Sequence, residues 1–345
     1  MAEMRDQKIH ECECCSAFTR REFVRTLGAG VLAASVPFIG RTAHAVALDG
    51  PAKVGPSVSD LAETAVARFY KTLSKEQRSL ICFPFDHPLR SVVRNNWAIV
   101  KPAITDMTNE QQALCTEIMK NLCSEDGYGR FMKQMDDDQG GFETYHVAVF
   151  GEPGTDKPSE WVLTGRHVTL RVDGNSVEGA AFGGPIFYGH AADGHDTEDA
   201  KHTNNVWWYQ GDQANKIYQS LDGKQQAQAL VDKSWTDDAR TIKLKGAKLP
   251  ATGVAVADLD SQQKQMVSQL LEMMLRPFRA CDAAEVRQCL ETAGGVDKLR
   301  LTYAKEGDLG GDGVWDIWRL DGPAFSWFFR GSPHVHTWLN VAWKA

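Results

Sequence analysis

The stretch WRLDGPAFSW, residues 318–327, repeats the pattern of WVLTGRHVTL, residues 161–170. Both stretches read Trp-x-Leu-x-Gly and continue with the alternation of side chains that is typical of a β-strand. Further strand-like runs precede and follow each of them. We therefore predict an α+β fold with two antiparallel sheet units and helices packed around them, with the alternative that the units are two pseudo-related halves. A pseudo-twofold arrangement would bring the two hairpins together.

A second pattern, repeated four times, predicts where helices begin. A Ser, Thr or Asp stands three residues before a glutamine, which is the spacing of a capping box, and apolar residues then recur at helical intervals. We interpret these glutamines as structural rather than catalytic. The four pairs are Ser74/Gln77, Thr108/Gln111, Asp222/Gln225 and Asp260/Gln263.

Composition and charge limit the classes of function. The chain has 345 residues, of which 43% are hydrophobic and 24% charged, so it is long enough to bury a sizeable core. The formal net charge of −7 argues against non-specific nucleic-acid binding, which needs a basic surface. We expect no nucleic-acid partner.

The N-terminus has the features of a twin-arginine export signal. Arg20 and Arg21 precede a weakly apolar run at residues 27–39, and Ala43-His44-Ala45 supplies a small-residue cleavage site. We predict a signal peptide over residues 1–45, a linker or helix over 46–72 and one domain over 73–345. The apolar run is too short to span a bilayer. The sequence thus predicts transfer by the twin-arginine translocation machinery, a periplasmic or secreted location and no stable membrane insertion after cleavage.

Histidines supply the best candidates for chemistry. On a strand, His334 and His336 point to the same face, a spacing at which two imidazoles can bind one metal ion. His167 occupies the matching end of the first sheet unit, and His190, on a glycine-rich segment, is a candidate fourth ligand. These ligands would suit zinc or copper, and metal-assisted hydrolysis and redox chemistry both remain open. Export of folded proteins through the twin-arginine route is consistent with a metal inserted beforehand.

A metal-free reading is the alternative. Four polar or aromatic residues could line a cleft for a small anionic or carbohydrate ligand, with arginine clamping a carboxylate. The chain would then be a periplasmic binding module. A hydrolase that uses His and Asp or Glu without metal ranks below it, because no nucleophile is identifiable. The four candidate ligand-binding residues are Arg90, Trp97, Glu152 and Arg166.

Five phrases together resemble a known family. They are FDHPLRSVVRNNW, YHVAVFGEPG, EWVLTGRHVTLRVDG, FGGPIFYGH and PHVHTWLNVAW. The chain is similar, over residues 73–343, to the bacterial domain-of-unknown-function family numbered 3500. Many members carry Gly-His-His at positions 165–167 and Asn-His-x-His at positions 333–336. The resemblance groups His167 with His334 and His336 and implies no reaction, while Arg166 removes one ligand from any four-histidine site.

Overall fold

A computed structural model describes most of the chain from residue 61 onward. The described residues are 61–174, 176–194, 202–249, 251–308 and 311–343. The predicted signal peptide over 1–45 lies outside them. The described helix nearest to it falls within the predicted linker or helix at 46–72 and buries Ala62, Val66 and Phe69.

Eight α-helices occur within the described ranges, and their starts follow the glutamine pattern. All four predicted capping boxes form, with the cap side chain accepting from the glutamine N–H and the glutamine side chain accepting from the cap N–H. The structural interpretation of these glutamines is confirmed. The helices are α1 Leu61–Thr72, α2 Lys75–Ile81, α3 Asn109–Leu122, α4 Glu125–Gln139, α5 Trp208–Ser220, α6 Gly223–Ala229, α7 Ser261–Leu275 and α8 Ala280–Thr292.

Eleven strands in the described ranges form one sheet, which confirms the α+β class. Its order is β1-β2-β3-β4-β5-β11-β10-β9-β8-β6, with β7 paired beside β8. Among the strands of these ranges, only β1–β2 and β6–β8 are parallel pairs. The strands are β1 Cys82–Phe83, β2 His146–Gly151, β3 Ser159–Gly165, β4 Val168–Val172, β5 Ile186–His190, β6 Leu230–Val231, β7 Val254–Ala255, β8 Arg300–Ala304, β9 Ile317–Gly322, β10 Phe325–Arg330 and β11 Val335–Val341.

The sheet order is the same when it is counted from either edge. A short parallel strand, a strand, the Trp-x-Leu-x-Gly hairpin and a last strand succeed one another inward from both sides. The two series meet at β5 and β11, which pair antiparallel with Ile186 opposite Leu339. The two units are therefore pseudo-related halves joined edge to edge in a continuous sheet. One expectation was wrong, because β5 and β11 separate the two hairpins instead of letting them meet.

The glycine of the repeated pattern has a packing reason. A Cβ on Gly165 would lie 2.2 Å from the Tyr145 ring, and a Cβ on Gly322 would lie 2.5 Å from the Leu299 side chain. Tyr145 and Leu299 are both buried just ahead of the first long strand of their halves. Each hairpin thus needs a residue without a side chain where this neighbour packs.

The two faces of the sheet are covered differently. Tyr188 packs against Phe131 of α4 on the helical face, with ring centroids 5.8 Å apart. The neighbouring Phe187 points to the other face and joins a smaller cluster with Trp338 and Val93. No helix among the described residues is long and apolar enough to cross a membrane.

Candidate metal centre

Three predicted histidines meet at one end of the central strands. His167 lies in the turn between β3 and β4, and its carbonyl accepts a bond from the Gly189 N–H of β5 at 3.1 Å. Gly189 in turn pairs with His336 of β11. His167, Gly189 and His336 therefore form a row across adjacent strands. His334 stands just ahead of β11, on the same face as His336.

The Nε2 atoms of the three imidazoles converge. That of His334 lies 3.2 Å from that of His167 and 2.9 Å from that of His336. The candidate ligand atoms all lie within 4.8 Å of one another, and each residue is only 4% exposed. Nitrogens bound to one tetrahedral ion at 2.0–2.1 Å lie roughly 3.3 Å apart, so the spacing fits a single small ion.

Two of these rings present their other nitrogen to a carboxylate. Nδ1 of His167 lies 2.9 Å from Oδ2 of Asp138 on α4. Nδ1 of His336 lies 2.8 Å from Oδ2 of Asp237. A carboxylate behind a metal-bound imidazole fixes the Nδ1–H tautomer and leaves the Nε2 lone pair for the metal. For His336, whose Nδ1 bonds Asp237, the Nε2 lone pair therefore faces the common point, 2.9 Å from Nε2 of His334.

Asp237 holds this arrangement from the side of β11. It accepts from Trp338 Nε1 at 2.8 Å and from Arg330 Nη1 at 2.7 Å, in addition to its contact with His336. Burial by itself would raise the pKa of Asp237, but the hydrogen bonds from His336 and Trp338 and the charge of Arg330 outweigh it and lower that pKa. The carboxylate is therefore ionised at neutral pH.

Burial controls the protonation of the other groups. It lowers the pKa of His336 to about 3, with the nearby Arg330 charge acting in the same direction. The ring is neutral at physiological pH, which is the state that binds a metal ion. Burial also raises the pKa of Asp138 to about 7, although the Ala191 N–H and nearby positive charges oppose the shift.

The row depends on Gly189. A Cβ at this position would lie 2.4 Å from the Val335 carbonyl oxygen and 3.1 Å from Cδ2 of His336. The first distance is too short for any side chain. Glycine in the middle strand therefore lets the imidazoles from the two neighbouring strands come together.

The backbone of His167 is held in an uncommon conformation. Its φ is +56°, in the left-handed region. Its N–H donates to the Asn95 carbonyl at 2.8 Å, and its carbonyl also accepts from Gln134 Nε2 at 2.9 Å. These bonds from two flanking segments fix the direction of the imidazole.

His190 lies apart from this group. It stands opposite Val335 and so points to the helical face of the sheet, away from His334 and His336. Its Nε2 lies 3.0 Å from Oδ2 of Asp137, and its Nδ1 accepts from the Val206 N–H at 3.1 Å. The consecutive carboxylates of Asp137 and Asp138 therefore contact different histidines.

The four residues predicted to bind an organic ligand each contact a different partner within the protein. Arg90 pairs with buried Glu160 at 2.9 Å, and Trp97 donates to Thr169 at 2.9 Å. Glu152 pairs with exposed Lys157 at 2.8 Å. Only Arg166 approaches the histidines, with its Nε 3.9 Å from the Asp138 carboxylate.

Sequence reasoning missed the residues that support the cluster. Asp138 belongs to the acidic run Asp136-Asp137-Asp138, which resembles a calcium loop only superficially and in fact lies in α4. Arg330 lies directly opposite His336 in the β10–β11 register, so a predicted hairpin could have found it. No local signal identifies Asp237, which is 99 residues from its histidine.

Comparison with known proteins identifies a family and nothing finer. No curated protein and no solved structure matches the chain. A family model described as "Protein of unknown function (DUF3500)" matches residues 56–339, including both the Gly-x-His turn and the His-x-His strand. The match begins before the predicted domain boundary at residue 73. It spans most of the sequence, and the chain belongs to the DUF3500 family.

Proposed function

We propose that this protein is an exported metalloprotein that binds one zinc or copper ion through His167, His334 and His336. The observation that carries the proposal is the convergence of three buried Nε2 atoms while two of the rings have carboxylates at Nδ1. Without an ion, three imidazole nitrogens would crowd together in a buried space around the lone pair of His336, which is unfavourable. A divalent cation removes that conflict.

The ligand count suggests an active rather than a purely structural site. Catalytic zinc commonly has three protein ligands and an open position, whereas structural zinc is closed by four. The described residues supply three such side chains and no fourth at this point. The site would thus bind a water or a small molecule, and the ion would polarise it or exchange electrons with it.

The test is metal content of the untagged full chain. We expect about one ion per chain after loading with zinc or copper, and less than about a tenth of that in a His334→Ala, His336→Ala double variant. His146→Ala is the matched control, because this strand histidine bonds the Pro102 carbonyl outside the cluster. No ion in the natural sequence, or equal content in the double variant, would reject the proposal.

Thermal-shift screening separates this function from a metal-free binding module. We expect zinc or copper to raise Tm in the natural sequence and to have little effect in the double variant. A large shift with carbohydrates or organic anions, and none with metals, would favour the module instead. The scattered positions of Arg90, Trp97 and Glu152 speak against that outcome.

Export by the twin-arginine route is part of the proposal and rests on the leader sequence. Replacing Arg20 and Arg21 by lysine should leave the precursor inside the cell, while the natural sequence is released as a shortened, folded protein. Cell fractionation and N-terminal sequencing measure both. Unchanged export of the Arg20→Lys, Arg21→Lys variant would contradict the route without affecting the metal site.

A further inference from the structure

The guanidinium of Arg330 lies on the side of the cluster where the Nε2 atoms converge. Nη2 of Arg330 is 3.4 Å from Nε2 of His334, the nitrogen that faces the other two imidazoles. Nη1 of the same guanidinium donates to Asp237 at 2.7 Å, which fixes its position. The side chain is only 16% exposed, so solvent screens its charge weakly.

Metal binding would change what this guanidinium can contact. The lone pair of His334 Nε2 would be used by the ion and could no longer accept a hydrogen bond from Nη2. Arginine has no lone pair to offer and stays charged, so it cannot become a ligand itself. Nη2 also donates to the His334 carbonyl oxygen at 3.4 Å, and an anionic oxygen at the remaining coordination position would be a stronger acceptor for the same group.

Charge determines what that occupant should be. Three neutral imidazoles leave the full charge of the ion uncompensated, while the charge of Arg330 beside it is paired with Asp237. The two nearby carboxylates contact Nδ1 atoms, behind the rings and away from the common point. A cation next to a guanidinium in a buried place is stabilised by an anion that contacts both.

We propose that the open position binds an anionic oxygen of a carboxylate or phosphate, and that Arg330 holds this ligand through Nη2. The inference rests on the proposed metal site and names the substrate class of that site. Arg330 would thereby select anionic ligands over neutral ones of similar size, because a charged oxygen accepts a stronger hydrogen bond from a guanidinium than a neutral one does.

A cleft lies behind the cluster, on the side where Asp237 contacts Nδ1 of His336. Its volume is about 310 Å³, and it lies between the segment at residues 93–96 and the segment at 237–240, over Trp338. Asp237 is in its wall, as is Asn95, whose carbonyl holds the His167 N–H. Exposed Arg94 adds a positive charge at this cleft.

The experiment uses the full chain loaded with Co²⁺, whose visible spectrum reports its ligands. Acetate and inorganic phosphate are titrated separately at constant ionic strength into the natural sequence and the Arg330→Gln variant. We expect saturable spectral changes in the natural sequence and an affinity at least about tenfold weaker in the variant. Arg287→Gln is the matched control, because Arg287 is exposed and paired with Glu272, outside both the cluster and the cleft.

The outcomes separate the two proposals. Absence of bound Co²⁺ in the natural sequence would reject the metal site itself. Bound Co²⁺ with no response to either anion, or with equal responses in Arg330→Gln and the natural sequence, would reject the anion site alone. A response to acetate only assigns a carboxylate and a response to phosphate only assigns a phosphoryl oxygen, and either supports the inference. Arg330→Lys keeps a cation without the planar fork and should bind with intermediate affinity, which tests the same point if the glutamine variant does not fold.

Discussion

The two halves of the sheet share a backbone but differ at the ends of their hairpins. In the N-terminal half, the Gly189 N–H of β5 donates to the carbonyl of His167 at 3.1 Å. At the equivalent place in the C-terminal half, the Ala342 N–H beyond β11 donates to the carbonyl of Ala324 at 2.9 Å. The residue that accepts this hydrogen bond is thus a potential metal ligand, His167, in one half and an alanine, Ala324, in the other.

Features present in both halves serve the fold. The Trp-x-Leu-x-Gly pattern, the glycine under Tyr145 or Leu299, and the capping glutamines all recur. Among the described residues, a histidine cluster occurs at only one of the two ends. Departures from the pseudo-symmetry therefore indicate function, because sheet formation alone does not require them.

Substitution should have its largest effect on stability at Gly189, compared with the equivalent position Ala342. Gly189→Ala places a Cβ 2.4 Å from the Val335 carbonyl oxygen, so we expect a loss of about 2–3 kcal/mol in the free energy of unfolding and much weaker metal binding. Ala342→Gly at the equivalent place should cost no more than about 1 kcal/mol. Denaturant unfolding and metal titration of both variants make the measurement. Full metal binding by Gly189→Ala would show that the close row is not needed.

At the other end, near Ala324 and Ala342, stability should depend on pH. Here the Glu285 carboxylate accepts from the Phe182 backbone, and burial raises the pKa of Glu285 from 4.5 to about 8. A carboxyl with a raised folded pKa contributes stability at low pH that is lost as the pH rises toward 8, because the folded state binds the proton more tightly than the unfolded state.

Glu285→Gln tests this assignment. The variant should be more stable than the natural sequence at about pH 9, by no more than about 2 kcal/mol given the partial exposure of Glu285, and should gain little at about pH 5. Denaturant unfolding at both pH values gives the difference. An equal effect at the two values would contradict the raised pKa.

The smallest effects should be equal in the two halves. The capping glutamines pair with each other, Gln77 with Gln111 at 2.8 Å and Gln225 with Gln263 at 3.2 Å. Gln111→Ala and Gln263→Ala should each cost about 1–2 kcal/mol, since each removes a capping bond and a buried side-chain bond. Exposed Gln262→Ala on α7 is the control and should change stability by less than about 0.5 kcal/mol. Clearly unequal losses would show that the two glutamine contacts, although similar in geometry, contribute different amounts to stability.

The sequence predicted what depends on local patterns. Capping spacing located α2, α3, α6 and α7, because an N-cap and its partner are only three residues apart. The Trp-x-Leu-x-Gly echo indicated two related units, and strand alternation placed His334 and His336 on one face.

What depends on pairing between distant strands was not predicted. Hydrophobic alternation does not say which strand lies beside which, so the junction of β5 with β11 could not be read from it. For the same reason Gly189 was not recognised as part of the row, and Asp237 and Arg330 were not recognised as partners of His336 and His334. The grouping of His167 with the C-terminal pair came from the echo and from the family resemblance.

The cluster takes its members from both halves, and this has a topological consequence. His167 and His334 are 167 positions apart in the chain. A bound ion would act as a cross-link that closes a loop of that size, and closing a long loop restricts the unfolded ensemble strongly. Removing the ion would then lower the free energy of unfolding of the whole molecule, beyond any local change at the site. Among the described residues, no other coordinate bond would join the two halves that meet at β5 and β11.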